Sequence, residues 1–205
     1  DFFDAVHAMG DILFTDFYEW LDFLGKISEN TEYDWYIKNR PDYPGKFQNY
    51  QPHTTKTVND LLKKYKNIKL LPGHYSHHQI IKEKINFVFT SYGTVGTEYA
   101  LFDIPVINAA VNNPHHRYNF NFNPKSIEEY KNMILNLSSL NLKIDKNEIY
   151  EHYFMKQIYF TKNWLIDDLN DLIKYVGGWS GQNSFKLYAY WMSICSEQKH
   201  KNVFK

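Results

Sequence analysis

The spacing of apolar residues predicts alternating helices and strands in the first half of the chain. Between residues 14 and 29, apolar side chains recur at intervals of three and four, which places them on one face of a helix. Short apolar runs at 33–38, 68–71, 87–90 and 105–108 are typical of strands. The run FVFT at 87–90 is apolar without interruption, which predicts a parallel strand covered on both faces.

Turn residues and capping residues predict where the intervening helices begin. A loop at 40–52 contains three prolines and a glycine, and the helix after it begins at Thr54 or Thr57, because both are suitable N-caps. Ser76 caps a short helix, and another helix spans 95–102. Beyond a long loop at 109–124, only helices are predicted, over 126–137, 146–159, 165–176 and 184–197.

This order of elements predicts an α/β fold with a doubly wound, Rossmann-like parallel sheet and extra C-terminal helices. We expect one such domain over residues 1–205, with Gly177 and Gly178 as a hinge before the last helix. No stretch approaches the roughly 18 consecutive apolar residues of a membrane span.

Composition and charge narrow the range of functions. The 205 residues include 23 basic and 23 acidic side chains, and a protein that binds nucleic acid by neutralising phosphates carries a basic excess. No nucleic-acid partner is therefore expected. The single cysteine, Cys195, cannot form an internal disulfide, which indicates the cytoplasm. Aromatic residues make up 18% of the chain, and Tyr and Trp suit contact with a sugar or a nucleobase.

The segment 87–108, FVFTSYGTVGTEYALFDIPVIN, contains the candidate binding site. It predicts a strand, a turn of small residues, a helix and a second strand, and in a parallel sheet such a turn lies at the carboxyl edge, where ligands bind. Gly93 and Gly96 allow the backbone to approach a ligand closely, and Thr94 can cap the helix. Backbone N–H groups near 94–97 would then converge on a phosphate.

Glu98 follows one turn into that helix, where its carboxylate can accept two hydrogen bonds from the hydroxyls of a ribose. The alternative is that the two glycines only form a tight turn and that Glu98 caps the helix. The glycine spacing is not that of the G-x-G-x-x-G dinucleotide fingerprint, which disfavours NAD.

Two groups of histidines should flank the same edge of the sheet. We expect at least one of them to contact phosphate or sugar, with His74 and His115 as candidates at the rim, and a solvated surface role is the alternative. The pattern H-x-x-H-H could bind zinc, but no cysteine pair or nearby aspartate supports it, so no metal is expected. The groups are His74, His77 and His78, and His115 and His116 beside Arg117.

The segment 91–108, SYGTVGTEYALFDIPVIN, resembles the donor-site segment of bacterial capsule polysaccharide biosynthesis proteins, which are similar to two-domain GT-B glycosyltransferases. Residues 35–41, WYIKNRP, look like that family's strand followed by K-P-H-P, with the motif at residues 38–41. Residues 65–72, YKNIKLLP, are similar to the strand before the donor site. The order and spacing of these segments agree over roughly residues 14–137.

The resemblance implies that the chain is the donor-binding C-terminal half of a glycosyltransferase for capsule or surface polysaccharide, located in the cytoplasm or at the inner face of the cell membrane. Its partners would be a CDP-, CMP- or UDP-linked sugar donor, a glycan or lipid-linked acceptor, and a missing N-terminal Rossmann-like half, with no obligatory cofactor. Glu98 would bind the ribose. The donor phosphates would be bound by Lys38, Arg40, Ser91, Tyr92, Gly93, Thr94, Val95 and Gly96.

Arg40 stands where the resembled motif has histidine. Arginine can bind phosphate with two hydrogen bonds but cannot act as a general base at neutral pH, so no catalytic residue is assigned. We expect this half alone to be incomplete for catalysis. We also expect the last helix, within 178–205, to cross to the missing half and to expose apolar side chains.

Two alternative functions remain at this stage. A nucleotide-sugar epimerase of related architecture would bind a UDP-sugar at the same turn and carry acidic catalytic residues. A non-catalytic module would instead bind a glycan through its aromatic side chains.

Overall fold

A computed structural model describes residues 13–38, 51–159, 169–177, 184–194 and 196. The chain forms two compact units, Asp1–Ile149 and Tyr150–Lys205. The first unit contains all the described strands and the candidate binding site.

Four short strands form two parallel pairs, at the positions that the apolar runs predict. Strand β1 (Trp35–Lys38) pairs with β2 (Ile68–Leu71), and β3 (Val88–Thr90) pairs with β4 (Val106–Asn108). The mixed α/β fold and the parallel direction are therefore confirmed. The hydrogen bonds among the described residues join the strands only in these pairs, so the continuous doubly wound sheet stays a prediction.

The helices of the first unit connect these strands. Helix α1 (Phe17–Ser28) precedes β1, α2 (Gln51–Lys64) connects β1 to β2, and α3 (His77–Lys82) connects the two pairs. Helix α4 (Val95–Ala100) connects β3 to β4. Each parallel pair is thus one strand–helix–strand unit.

Helix α2 begins at Gln51, earlier than the predicted Thr54 or Thr57. Pro52 therefore lies in the first turn of the helix rather than in the predicted loop. A proline is tolerated there, because the N–H that it lacks would have no partner within the helix. The rest of the predicted loop lies outside the described residues.

Alternate residues of β3 and β4 pack into two different hydrophobic clusters, as expected for strands covered on both faces. Phe89 and Ile107 pack in one cluster, and Val88 and Val106 pack in the other. The buried residues of the first cluster are Phe14, Leu24, Ile27, Trp35, Ile107, Ala109, Tyr130, Ile134 and Leu137.

Tyr130 lies at the centre of the first cluster, on helix α5 (Ile127–Leu135). Its buried hydroxyl accepts a hydrogen bond from Trp20 Nε1 at 2.9 Å, and burial raises the pKa of Tyr130 well above its usual value. The Tyr130 ring contacts the Phe89 ring edge-on, with the ring centroids 6.4 Å apart. The Phe89 ring in turn stacks on Trp35, with the centroids 5.4 Å apart. This second contact joins the two strand pairs, because Trp35 belongs to β1 and Phe89 to β3.

The remaining described elements follow α5 in the order predicted. A 3₁₀ turn spans Leu137–Ser139, helix α6 spans Lys146–Tyr153, and a π-helical segment spans Phe154–Tyr159. In the second unit, α7 (Leu169–Val176) contacts α8 (Ser184–Ile194), with the rings of Tyr175 and Tyr190 5.5 Å apart.

The hinge predicted at Gly177 and Gly178 is described only at Gly177. This residue follows α7 with a φ of 76°, a backbone conformation that favours glycine.

On α8, large apolar side chains are exposed, notably Phe185, Tyr188 and Met192. Across the described part of the chain, no helix has the length and apolarity needed to cross a membrane.

The carboxylate of Asp22 joins helix α1 to the end of α2. It accepts hydrogen bonds from Lys64 Nζ and from the Tyr65 hydroxyl, each at 2.7 Å, and pairs with Lys26 at 2.8 Å. Burial alone would raise the pKa of Asp22, but these three hydrogen bonds outweigh it and hold the pKa well below its usual value. Asp22 must therefore stabilise the fold mainly in its charged form.

We expect Asp22→Asn to lower the free energy of unfolding at pH 7 by about 1.5–3 kcal/mol, the range for hydrogen bonds to charged groups. Because the folded pKa is depressed, this contribution is complete above the unfolded pKa of about 4 and is lost as the pH falls below it. Urea unfolding at pH 7 and pH 3 would measure both effects. The difference between wild type and variant should shrink at pH 3.

Asp60→Asn is the matched control, since Asp60 forms an exposed ion pair with Lys63 at 3.4 Å and such pairs contribute little. Equal losses for the two variants would show that Asp22 is no more than another surface charge.

Candidate functional site

The carboxyl ends of β3 and β4 form the floor of the candidate site. Thr90 and Asn108 lie opposite each other in the parallel register, and both are buried. The turn at 91–94 follows β3, and the long loop that starts at Ala109 follows β4. The turn and the loop therefore begin at the same edge, as the sequence predicted.

At Gly93 the turn is hydrogen-bonded to the last residue of β3. The Gly93 N–H donates to Thr90 Oγ1 at 3.2 Å, and a Cβ at position 93 would lie only 2.6 Å from the same oxygen. Glycine is thus required here by the Thr90 side chain, whether or not a ligand approaches.

Some of the backbone N–H groups that were expected to bind phosphate instead form hydrogen bonds within the first turn of α4. The N–H of Gly96 donates to Gly93 O at 3.1 Å, and that of Thr97 donates to Thr94 O at 2.9 Å. The N–H groups of Thr94 and Val95 have no acceptor among the described residues. These two groups are the donors that remain for a bound anion.

Gly96 faces the interior of the protein. A Cβ at this position would lie 2.5 Å from both Cε1 and Nε2 of His115, and Asn121 Nδ2 donates to Gly96 O at 3.1 Å. His115 was predicted at the rim of the site, but it is only 2% exposed and its ring packs against the backbone of α4. The absent side chain of Gly96 therefore makes room for His115.

A network of asparagine side chains connects His115 to β4 and to the rest of the long loop. The His115 imidazole lies 3.3 Å from Asn108 Oδ1, measured at Nε2. Asn108 Nδ2 donates to Asn123 Oδ1 at 2.8 Å, and Asn113 Nδ2 donates to the same oxygen at 2.9 Å. These side-chain hydrogen bonds connect both ends of the long loop to β4 and explain why the loop is rich in asparagine.

Two buried polar atoms have no hydrogen-bond partner among the described residues: Ser91 Oγ and Asn121 Oδ1. Leaving such an atom unpaired costs about 1–3 kcal/mol, so the polar packing here is incomplete. Ser91 was predicted to contact the donor phosphate, and its side chain is buried at the start of the turn.

The outward side of α4 carries Glu98 in a cluster with three other residues. Thr94 is the N-cap residue of the helix, as predicted, but its side chain makes no capping hydrogen bond, because its hydroxyl donates to Glu98 Oε1 at 2.7 Å. Glu98 Oε2 lies 3.7 Å from His77 Nε2, and His77 Nδ1 lies 2.8 Å from the Tyr99 hydroxyl. The histidine beside Glu98 is thus His77.

His77 was grouped with His74 and His78 as a possible contact to phosphate or sugar, but the residues predicted at the rim were His74 and His115. The available signal was Ser76, whose capping box with Gln79 places His77 at the first position of α3. No local pattern relates His77 to Glu98, which is 21 residues further along the chain.

The other predicted ligands lie at the edge of the first strand pair or outside the described residues. Lys38 is the last residue of β1, and exposed His74 follows the end of β2 and contacts the ring of Tyr75. No described contact joins Lys38 or His74 to the Gly93 turn. Arg40 lies outside the described residues. The Tyr92 hydroxyl donates to Asn112 Oδ1 and connects the turn to the long loop.

Two cavities lie away from this turn. One, of about 510 Å³, is lined by residues of α5 that include Glu129 and Met133, and the other, of about 270 Å³, lies between α1 and α2 beside Lys64. Within the described ranges, no three His, Cys, Asp or Glu side chains are grouped as a metal site would require.

No model of a known protein family matches this chain, and no curated protein or solved structure matches it either.

Replacement of Gly96 by alanine tests the contact with His115. Since the new Cβ would lie 2.5 Å from the ring, we expect the free energy of unfolding to fall by about 1–3 kcal/mol, as measured by urea unfolding. Combining it with His115→Ala should cost less than the sum of the two single changes, because the clash is then removed.

Gly73→Ala is the control, since a Cβ at Gly73 would have no neighbour within 4 Å. Strict additivity of Gly96→Ala and His115→Ala would contradict the proposed packing.

Proposed function

We propose that the chain is the donor-binding part of a glycosyltransferase that assembles a bacterial capsule or surface polysaccharide in the cytoplasm or at the inner face of the cell membrane. Its substrate would be a nucleotide-linked sugar, of the CDP, CMP or UDP type, and its acceptor a glycan or a lipid-linked glycan. The N-terminal half of such an enzyme would bind the acceptor. This proposal unites the resemblance of the segment 91–108 with the arrangement of the residues in it.

The observation that carries the proposal is the position of Glu98 beside the Gly93 turn. A parallel strand ends at Thr90, a tight turn follows, and one helical turn later a half-buried carboxylate is fixed by Thr94 at 2.7 Å. The unpaired N–H groups of Thr94 and Val95 lie at the start of the same helix and suit a phosphate, while Glu98 suits hydroxyl groups. A nucleotide presents both chemical groups within a few ångströms of each other.

We further propose that the two strand pairs belong to one doubly wound layer. Support comes from the stacking of Trp35 on Phe89 and from the alternation of β3 and β4 residues between two hydrophobic clusters. In such a layer the end of β1, and therefore Lys38, would lie at the same edge as the Gly93 turn. Lys38 would then balance the charge of the donor phosphates.

A second candidate is a glycan-binding module without catalytic activity. It is favoured by aromatic side chains that are exposed rather than packed in a core. Flat aromatic rings stack well on sugars, and such a module would bind a glycan without any nucleotide. The exposed aromatic residues include Tyr36, Tyr150, Tyr153, Phe185, Tyr188 and Trp191.

Calorimetric titration of CDP, UDP and CMP into wild type and Glu98→Gln tests the leading proposal. We expect at least one nucleotide to bind, and the variant to bind it more weakly by about 1.5–3 kcal/mol, because hydrogen bonds to a charged group are lost. Glu128→Gln, which alters an exposed carboxylate on α5, should leave the affinity unchanged.

The three outcomes separate the candidates. Equal affinity in wild type and Glu98→Gln would remove Glu98 from the site. Failure of every nucleotide to bind would refute the glycosyltransferase proposal, and binding of an oligosaccharide in its place would support the module.

A further inference from the structure

His77 is held in one orientation by Tyr99. The Tyr99 side chain is buried, its hydroxyl lies 2.8 Å from His77 Nδ1, and the two rings meet at 5.2 Å with an interplanar angle of 88°. One nitrogen of the imidazole, Nδ1, is therefore already in contact with the Tyr99 hydroxyl. The other nitrogen, Nε2, is on the side of Glu98, and the histidine side chain is 38% exposed.

The Tyr99 hydroxyl can either donate to His77 Nδ1 or accept from it, and the role assigned to His77 below requires that it donates. Burial, together with the charge of Glu98, raises the pKa of Tyr99 to about 12, so its hydroxyl stays protonated and can donate. When this hydroxyl donates to Nδ1, the proton of the neutral imidazole is on Nε2. His77 then presents a fixed N–H donor beside the carboxylate.

Glu98 is held in the same way. Its Oε1 accepts from the Thr94 hydroxyl at 2.7 Å, which leaves Oε2 directed towards His77 at 3.7 Å. That distance exceeds the range of a direct hydrogen bond. A donor and an acceptor thus lie side by side at the surface, each fixed by a second contact and neither satisfied by the other.

The charges and polarities of this pair restrict what it can bind. A carboxylate repels phosphate and accepts only from donors, whereas Nε2–H needs an acceptor. A hydroxyl group does both with a single atom, and two adjacent hydroxyls can satisfy both residues together. An anion or a second carboxylate would satisfy only His77.

We propose that His77 and Glu98 together bind the vicinal hydroxyl groups of the donor's ribose, with His77 as the residue that makes the site prefer a ribonucleotide over a deoxyribonucleotide. This inference rests on the proposed function, because it concerns the nucleotide that the Gly93 turn would bind. It assigns to His77 a direct contact with the ligand, through Nε2–H.

The test compares ribonucleotides with their 2′-deoxy forms in three proteins. CDP, UDP, 2′-deoxy-CDP and 2′-deoxy-UDP are titrated into wild type, His77→Gln and His78→Gln. His78 is the matched control, because it follows on the same helix and contacts Phe102 at 5.6 Å instead of Glu98. Wild type and His78→Gln should prefer the ribonucleotide by the same factor.

In His77→Gln we expect the affinity for the ribonucleotide to fall about three- to tenfold, while the affinity for the deoxy form hardly changes. A general loss of structure would instead lower the affinity for both nucleotides by the same factor, and that result would overturn the proposal. An unchanged preference in His77→Gln, or a wild type that binds both forms equally, would overturn it as well and leave the proposed function intact.

A wild type that binds none of the four nucleotides would overturn this inference, and if it also failed to bind CMP, the proposed function would be refuted as well. The ¹⁵N NMR spectrum of the imidazole gives a reading that needs no ligand. Neutral His77 should carry its proton on Nε2 in wild type, and a proton on Nδ1 would contradict the proposed role of His77 as the donor.

Discussion

The close packing of the His115 ring against the backbone of Gly96 is the contact on which the candidate site depends. It can form only because position 96 has no side chain, and it fixes the long loop after β4 against the helix that follows β3. Asn121 strengthens the same contact by donating to Gly96 O at 3.1 Å. Two segments that leave the strands at one edge are thereby held together.

Helix α4 consequently has two chemically different sides. Its inner side contacts His115 and Asn121, which supply the rigidity that a binding surface needs. Its outer side presents Glu98, which Thr94 fixes by a hydrogen bond and which lies near His77. The proposed nucleotide would occupy the outer side, so the polar core and the binding residues act on the same short helix from opposite faces.

The strands could be predicted because local composition largely determines them. The run at 87–90 is apolar throughout, and a parallel strand with both faces covered requires that pattern. The start of α2 was missed because Pro52, which usually interrupts a helix, is tolerated in the first turn. The positions of His115 and His77 could not be predicted, because each depends on contacts between residues far apart in sequence. Gly96 was correctly recognised as special, but the ring that occupies its free space lies 19 residues away and no periodicity reveals it.

Amide hydrogen exchange with and without a saturating nucleoside diphosphate tests most directly whether this edge binds a nucleotide. We expect CDP or UDP to slow exchange at residues 91–98, where the turn and the first residues of α4 lie, and to leave exchange in α1 unchanged. Slowed exchange confined to α7 and α8, with no change at 91–98, would contradict it.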